Sequence, residues 1–310
     1  MKVLVTGSRG FVGTHLVREL RDNHWSVVSA DLKADGNTVF LDIKDREGIY
    51  QLLSKEKPDV VVNLAGQANV GASWNYPQQT VELNTIGFLN ILDAVKRYSP
   101  TIKIIGIGSS DEYGILKEKG INVTEDIGLN PITPYAISKH CQEQFASLYC
   151  HSFGMNISMI RLFNLGGAKQ AKGFMISDFA SGIAEIEANR KDFLSVGNLE
   201  AARDFVHVKD ACRAIRLISE KGRSGEVYNV CSGKVFTAKE ILEKLIKMAK
   251  CEIRVEKDPA RFRPSDTPII CGNHDKLTEQ TGWNPQYTMD DILLDAITYW
   301  RSSVQAGNTD

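Results

Sequence analysis

Tyr135 and Lys139 could together transfer a proton. They lie four positions apart in the segment YAISK, which on a helix puts a phenol and an ammonium group on the same face. A positive charge beside a phenol lowers its pKa, so we expect Tyr135 to give or accept a proton near neutral pH. Ser109 follows the apolar run Lys103–Gly108, and its hydroxyl is expected to face the same cleft. An ordinary amphipathic helix with an exposed lysine is the alternative interpretation.

Three glycines follow the first apolar run, Lys2–Thr6, and precede a segment with helical spacing. Glycine at these positions permits a tight turn, lets backbone N–H groups approach a pyrophosphate and allows close helix–strand packing. The positive end of the helix dipole would then face the anion. A merely structural turn is the alternative, but the position of the triplet favours a dinucleotide-binding loop. Its predicted contact residues are Gly7, Arg9, Gly10, Phe11, Val12 and Gly13.

Two aspartates follow the next apolar runs and could contact the adenosine half of such a dinucleotide. Asp31 ends the run Ser26–Asp31, where a carboxylate would accept hydrogen bonds from ribose hydroxyls and repel a 2′-phosphate. We therefore expect NAD(H) to be favoured, while Arg9 and Lys33 could offset the repulsion and keep NADP(H) open. Asp42 could meet the adenine edge or could stabilise a turn. The neighbouring predicted contacts are Leu32 and Ile43.

Short Val- and Ile-rich runs alternate with longer amphipathic segments through the first half of the chain. Such runs, for example Asp59–Leu64, are typical of strands that helices cover on both faces of a parallel sheet. We therefore predict an α/β fold, a Rossmann-like doubly wound parallel sheet with a smaller α/β C-terminal lobe. The longest predicted helices are 81–98 and 135–153, and Thr237 with Glu240 forms a capping box that starts a later helix.

The alternating pattern changes after Phe163, and the tail is predicted to be rich in loops because it carries Pro259, Pro264, Pro268 and Pro285. We predict an NAD(P)-binding domain over residues 1–163, to which 204–235 returns because it contains another run typical of a buried strand. Residues 164–203 and 236–310 are then predicted to form the smaller lobe.

The composition argues against several classes of protein. Lys and Arg number 37 against 38 Asp and Glu, and the net charge of -1 argues against a basic nucleic-acid-binding surface. The apolar runs are far shorter than the ~18 residues needed to span a bilayer, and the first is too short for a signal peptide. The 6 cysteines include no C-x-x-C pair, so we expect neither a metal site nor a disulfide framework. We expect a cytoplasmic protein that binds no nucleic acid and no membrane.

These motifs together resemble the extended short-chain dehydrogenases/reductases that act on nucleotide sugars. The resemblance rests on TGxxGxxG at 6–13, NLAG at 63–66, Ser109, Tyr135 and Lys139. It implies that Ser109 and Tyr135 hold the reacting oxygen of the sugar, and that Lys139 also binds the nicotinamide ribose. The further residues that it places along the cofactor are Leu64, Ala65 and Gly66.

Motifs of the second half resemble the GDP-sugar branch of that family. They are RLFN at 161–164, GNLE at 197–200, RDF at 203–205, YNVCSG at 228–233 and RPSD at 263–266. The resemblance implies that Asn164, Arg203 and Arg263 contact the diphosphate and nucleoside, a role that suits the planar fork of arginine. Gly166-Gly167-Ala168 departs from the glycine-proline-glycine turn of relatives, so we expect a different loop near the sugar.

The segment Ser109-Ser110-Asp111 bears on which reaction of that branch is catalysed. Dehydratases usually carry Thr, a polar residue and Glu there, and the Glu takes part in the elimination. The resemblance therefore favours NAD(P)H-dependent reduction of the C4 keto group of a GDP-4-keto-6-deoxy sugar, with Asp111 among the catalytic residues and Ser110 at the substrate. Asp111 and Glu112 could also be turn and surface acids. The alternatives are a GDP-mannose 4,6-dehydratase, another nucleotide-sugar epimerase or dehydratase, and remotely a nucleotide-binding regulator without turnover.

The resemblance also predicts partners. Relatives commonly pair through two long helices per subunit, here 81–98 and 135–153, so we expect a homodimer with a four-helix interface. The expected ligands are a GDP-linked sugar and NAD(H) or NADP(H).

Overall fold

The computed structural model describes residues 1–115, 122–258 and 270–307. Its strands, in chain order, are β1 (Lys2–Thr6), β2 (Ser26–Asp31), β3 (Val39–Phe40), β4 (Val60–Asn63), β5 (Lys103–Ser109), β6 (Asn122–Val123), β7 (Ile157–Leu162), β8 (Asn164–Gly166), β9 (Leu194–Val196), β10 (Ala202–His207), β11 (Val227–Val230), β12 (Val235–Thr237), β13 (Val255–Lys257) and β14 (Cys271–Gly272). The strands expected from the apolar runs of the first half are all present.

The α-helices are α1 (Phe11–Asp22), α2 (Arg46–Glu56), α3 (Val70–Asn75), α4 (Pro77–Val81), α5 (Gly87–Tyr98), α6 (Pro134–Phe153), α7 (Met175–Glu187), α8 (Val208–Lys221), α9 (Ala238–Lys247), α10 (Asp275–Thr281) and α11 (Met289–Gln305). The predicted capping box of Thr237 and Glu240 starts α9 as expected. Across the described ranges, no helix combines the length and apolar character needed to cross a bilayer.

The central sheet has seven strands in the order β11-β7-β5-β4-β1-β2-β3, and every adjacent pair is parallel. The chain adds strands outward in one direction from β1 and then in the other from β4. In sheets of this kind, ligands bind outside the carboxyl ends of the strands at the point of reversal. The topology therefore directs attention to the loops that follow β1, β4 and β5.

Helices cover both faces of the sheet. On one face, Leu16 of α1 and Ile215 of α8 pack with Val5. On the other, Leu53 of α2 and Ile91 of α5 pack in a second core. Both cores are apolar on the sheet side because successive strand residues point to opposite faces, and the strands carry apolar residues, mostly Val and Ile, toward each face. The predicted doubly wound parallel sheet is confirmed.

A third apolar core belongs to the C-terminal lobe, where α7, α9 and α11 pack together. The lobe also contains the three-stranded sheet β12-β10-β8 and the pair β13-β9. The structure divides the segment 204–235, which we expected to return to the first domain. Its strand β10 pairs with β8 and β12, whereas α8 packs on α1 and β11 extends the central sheet beside β7. The domain boundaries themselves stay a prediction.

The predicted uninterrupted helix 81–98 is wrong in one detail, because a π-helical turn, Glu82–Ile86, joins α4 to α5. Asn84 lies in this turn and its side chain bonds three groups elsewhere in the fold. Its Oδ1 accepts from the backbone N–H of Gln67 at 2.8 Å, and its Nδ2 donates to Gln67 O at 3.0 Å and to Ser138 Oγ at 2.9 Å. These long-range bonds favour the wider turn, which is an irregularity common at functional sites.

Candidate active site

A cavity of about 690 Å³ lies between the central sheet and the lobe. Its lining comes from both parts of the molecule, because the loops after β1, β4 and β5 form one wall and residues of α7 and β10 form another. The cavity is therefore at the point of strand reversal, where the topology predicts a ligand.

The glycine loop after β1 brings backbone very close to backbone. Gly7 has φ +63°, and a Cβ on it would lie 2.7 Å from Ala65 N. A Cβ on Gly13 would lie 2.2 Å from Gly7 O, so the helix can begin against the strand only with glycine there. Gly10 is the N-cap of α1, and no side chain of the described residues caps this helix start. The first N–H groups of α1 are thus available to an anion at the cavity wall.

Ser109, Tyr135 and Lys139 all line this cavity. Ser109 ends β5, whereas Tyr135 and Lys139 lie in the first two turns of α6. The Ser109 hydroxyl interacts with the Tyr135 phenol and lowers its pKa. Lys139 Nζ lies 5.9 Å from the centre of the Tyr135 ring and donates to Ile107 O at 2.7 Å. The structure thus brings together the three residues that the spacing suggested.

The electrostatics of Tyr135 differ from our expectation. Burial raises the pKa of the Tyr135 phenol well above its ordinary value, the negative charge of Asp111 adds to this, and the hydrogen bond with Ser109 opposes it. The predicted lowering of this pKa by Lys139 is wrong, because burial dominates and the ammonium group bonds the Ile107 carbonyl. Burial also lowers the pKa of Lys139 to about 8, against the opposing charge of Glu112. Tyr135 is therefore a protonated phenol at neutral pH, which suits a proton donor.

The acids after Ser109 have different surroundings. They lie in a 3₁₀ turn, Ser110–Tyr113, which Ser109 starts with a capping box. Ser110 and Asp111 line the cavity, and the charge of Asp111 reaches Tyr135. Glu112 points the other way and is 0% exposed, so the interpretation of Glu112 as a surface acid is wrong. Burial and the nearby carboxylate of Glu143 raise the pKa of Glu112.

The lobe supplies the opposite wall. Asn164 at the start of β8 and Arg203 in β10 both line the cavity. Asn164 Nδ2 donates to Asp204 O at 3.3 Å, and Arg203 Nη1 donates to Ala202 O at 2.8 Å. Buried Asp204 then fixes β10, because its carboxylate accepts from Ser232, Gly233 and Gly272 backbone N–H groups. Arg263, the third predicted contact, lies outside the described residues.

Several predicted cofactor residues lie beside the cavity rather than on its wall. Asp31 adjoins the glycine loop, since its carboxylate accepts from the backbone N–H of Arg9 at 3.0 Å and of Lys33 at 3.3 Å. Asp42 accepts from the Lys44 N–H at 2.9 Å, which is the bond of a turn aspartate. The guanidinium of Arg9 pairs with Asp35, and the side chain of Leu32 is exposed. The side chain of Ile43 is buried against Gly87. The backbone N–H of Ala65 donates to Thr6 Oγ1.

Sequence reasoning missed part of the cavity wall. Gln67 Oε1 and Gln170 Oε1 are buried there and accept no hydrogen bond from the described residues. Such carbonyl oxygens are ready acceptors for ligand hydroxyls. For Gln67, the signal was an amide side chain in the loop that follows β4 at the sheet reversal. For Gln170 there was none, because it lies in the loop that departs from the turn of relatives.

The whole-chain comparisons identify the family. The profile of the family described as GDP-mannose 4,6 dehydratase matches residues 4–296. The chain belongs to this family. It is 32% identical to GDP-6-deoxy-D-mannose reductase of Pseudomonas aeruginosa over 98% of both chains, and 27% identical to GDP-6-deoxy-D-talose 4-dehydrogenase of Aggregatibacter actinomycetemcomitans over 95% of this chain and 96% of that one. A solved structure of RMD from Pseudomonas aeruginosa, complexed with NADPH, superposes with a TM-score of 0.88 at 30% identity, covering 97% of this chain and 99% of that chain.

Membership of the GDP-mannose 4,6 dehydratase family confirms the resemblance that the motifs indicated, including its GDP-sugar branch. The family contains enzymes with different reactions, since a reductase and a 4-dehydrogenase are among the relatives named above.

Proposed function

We propose that this protein catalyses the NAD(P)H-dependent reduction of the C4 keto group of a GDP-4-keto-6-deoxy-hexose. The observation that carries the proposal is the protonated phenol of Tyr135 on the cavity wall beside Ser109, with the short carboxylate of Asp111 on the same wall. The names of the two relatives, a GDP-6-deoxy-D-mannose reductase and a GDP-6-deoxy-D-talose 4-dehydrogenase, support a C4 oxidoreduction of this substrate class.

The residues present fit a dinucleotide. The close approach at Gly7 and Gly13 leaves room for a pyrophosphate against the start of α1, where a Cβ would collide with backbone. Asp31 accepts two backbone N–H bonds and a carboxylate offers about four lone-pair sites, so it can also accept from ribose hydroxyls. We infer that NAD(H) is favoured on this account, with NADP(H) as the alternative that the NADPH complex of RMD supports. When bound, the reduced nicotinamide supplies the hydride.

Tyr135 supplies the proton in this proposal. Its phenol donates to the oxygen on C4 as negative charge develops there, and Ser109 orients that oxygen through its hydroxyl. Lys139, with a charge that persists up to about pH 8, stabilises the phenolate that Tyr135 becomes and binds the nicotinamide ribose. On the lobe side, Asn164 and Arg203 would hold the diphosphate, with Ser110 near the sugar.

Reduction and dehydration make different demands on Asp111. Elimination needs a carboxyl group that reaches the sugar carbon beyond C4, and proton transfer requires an approach of about 2.6–3.2 Å. Aspartate reaches about 1.5 Å less far than glutamate because it lacks one methylene. Reduction has no such requirement, since Tyr135 already serves the C4 oxygen.

The test incubates the purified protein with GDP-mannose and with its 4-keto-6-deoxy derivative, each with and without NADH or NADPH. We expect one reduced cofactor to be consumed per keto-sugar converted and GDP-mannose to stay unchanged. A 4-keto-6-deoxy product formed from GDP-mannose without added cofactor would instead establish a dehydratase and show that Asp111 does reach.

We also propose a homodimer with a four-helix interface. Large apolar side chains are exposed along the α4–α5 segment and α6, namely Val81, Ile86, Ile137, Leu148 and Phe153. Exposed apolar groups on two adjacent helices are typical of a surface that a partner covers. Ile137→Glu should give a monomer by light scattering, whereas Leu294→Glu, at an exposed site on α11, should not.

A cytoplasmic location is proposed from the six cysteines, all free in this structure, because reducing compartments keep thiols free.

A further inference from the structure

Glu112 is a buried acid that the proposed reaction does not use. Its side chain is 0% exposed, and its Oε1 accepts from the backbone N–H of Ser109 at 2.7 Å. Gly108 makes this possible, since a Cβ there would lie 2.4 Å from that same oxygen. The acid therefore lies directly behind the cavity wall and bonds the backbone of the residue that pairs with Tyr135.

The second oxygen of Glu112 faces His140. Oε2 of Glu112 accepts no hydrogen bond from the described residues. His140 Nδ1 likewise makes no hydrogen bond with any described residue. These two atoms are 4.0 Å apart. The imidazole is 29% exposed, so His140 lies between the buried acid and the solvent. A rotation of the ring that shortens the separation by about 1 Å would form a direct hydrogen bond.

The guanidinium of Arg161, which lies near Glu112, is bound by another acid. Arg161 is engaged by Glu143, whose oxygens accept from Arg161 Nη2 at 2.6 Å and Nε at 3.0 Å. The titratable or charged groups that face Glu112 are Tyr135, Lys139, His140 and Glu143 from α6 and Arg161 from β7, with Asp111 and Tyr113 flanking it in its own turn. In the part of the chain that the structure describes, no ion pair joins Glu143 to Lys139 or His140.

We propose that Glu112 and His140 form a proton-sharing pair behind the cavity wall, which positions Ser109 and sustains the positive charge of Lys139. A proton on His140 Nδ1 passes to Glu112 Oε2, leaving a neutral imidazole and a neutral acid, and the reverse step restores the carboxylate. As a carboxylate, Glu112 favours the ammonium form of Lys139 through the charge attraction between them. Glu112 is thus a positioning residue for the proposed reduction, on which the catalytic part of this inference rests.

The direction of the effect on pH dependence follows from the charges. Burial raises the pKa of Glu112 and lowers the pKa of Lys139 to about 8. As the pH rises, Glu112 loses its proton, and the resulting negative charge delays the loss of the proton from Lys139. Without that charge, Lys139 should be neutralised at lower pH and turnover should fall earlier.

The first experiment measures kcat and KM of Glu112→Gln from pH 6 to 10. Glutamine keeps an acceptor for the Ser109 N–H but carries no charge. We expect the alkaline decline of kcat to shift down by about one pH unit, a size usual for protein pKa perturbations. Glu279→Gln, the same change at an exposed position of α10, should leave the profile in place. A kcat reduced equally at every pH would indicate a merely structural role and overturn the inference.

The second experiment needs no substrate, so it separates this inference from the proposed function. Ordinary carboxyl groups are ionised above pH 6, so an infrared C=O band of a protonated acid that persists there reports a buried group. We expect such a band in the wild type and its loss in Glu112→Gln. His140→Ala, which removes the facing nitrogen, should let the band persist to higher pH. If the band is missing in the wild type, or unmoved by His140→Ala, no such pair exists.

Discussion

Replacing Tyr135 by phenylalanine should remove the proton donor while leaving the fold intact. The side chain is 8% exposed and its oxygen interacts with the Ser109 hydroxyl, so the substitution removes at most one buried hydrogen bond and no packing volume of the ring. One such bond contributes about 1 kcal/mol to stability, and Ser109 Oγ still accepts from the Asp111 N–H. A positioned acid is worth about 10²–10⁴ in rate, or roughly 3–5 kcal/mol of barrier. We therefore expect a folded enzyme with kcat lowered by that factor.

The assay follows oxidation of NADH or NADPH with the keto-sugar, together with cofactor binding by fluorescence and thermal unfolding. Tyr228→Phe is the matched control, because that phenol is also buried but bonds Arg223 N and Gln280 Oε1 away from the cavity. Tyr228→Phe should lose at least as much stability as Tyr135→Phe, because its hydroxyl makes two hydrogen bonds; both variants should bind cofactor normally, and only Tyr135→Phe should lose turnover. A Tyr135→Phe enzyme with the wild-type kcat would show that another group delivers the proton.

Two further substitutions test the cofactor side of the site and the lobe wall of the cavity. Asp31→Ala should lower kcat/KM with NADH and improve the relative use of NADPH, because it removes the ribose acceptor and the charge that would face a 2′-phosphate; an unchanged ratio of the two kcat/KM values would place Asp31 away from the ribose. Arg203→Ala should raise KM for the GDP-sugar roughly ten- to a hundred-fold with little change in NADH affinity, since a charge-assisted bond to phosphate contributes about 1.5–3 kcal/mol. A normal KM would instead mean that the guanidinium does not meet the diphosphate.

The sheet and one wall of the cavity could be predicted because local sequence determines them. A run such as Val60–Asn63 has no polar side chain before its last residue, and this pattern is typical of a strand that is covered on both faces. The glycine loop could be predicted for a similar reason, since no residue other than glycine allows the backbone contacts made at positions 7 and 13. Lys139 was found by spacing, but its effect on Tyr135 was misjudged because burial, which spacing does not report, outweighs one neighbouring charge.

The features that escaped prediction depend on contacts between distant segments. Glu112 lies three residues after Ser109, so the capping box Ser-x-x-Glu was a usable local signal for its bond to the Ser109 backbone. Its complete burial depends on α6 and on Gly108, which a single pattern does not reveal. Gln170 enters the cavity through an irregular loop that has no periodicity to read. Arg263 stays a prediction from its motif alone.

The π-turn at Glu82–Ile86 also acts as a phase shift between two helices. Each residue of an α-helix rotates the chain by about 100°, so one additional residue sets the faces of α4 and α5 out of step by about that angle. Deleting one residue within this turn would let the backbone close into a regular α-helix. The helix would become more uniform, yet Asn84 would rotate away from Gln67 and Ser138, and α5 would turn a different face toward the sheet. Length differences among relatives are therefore expected to fall outside this turn.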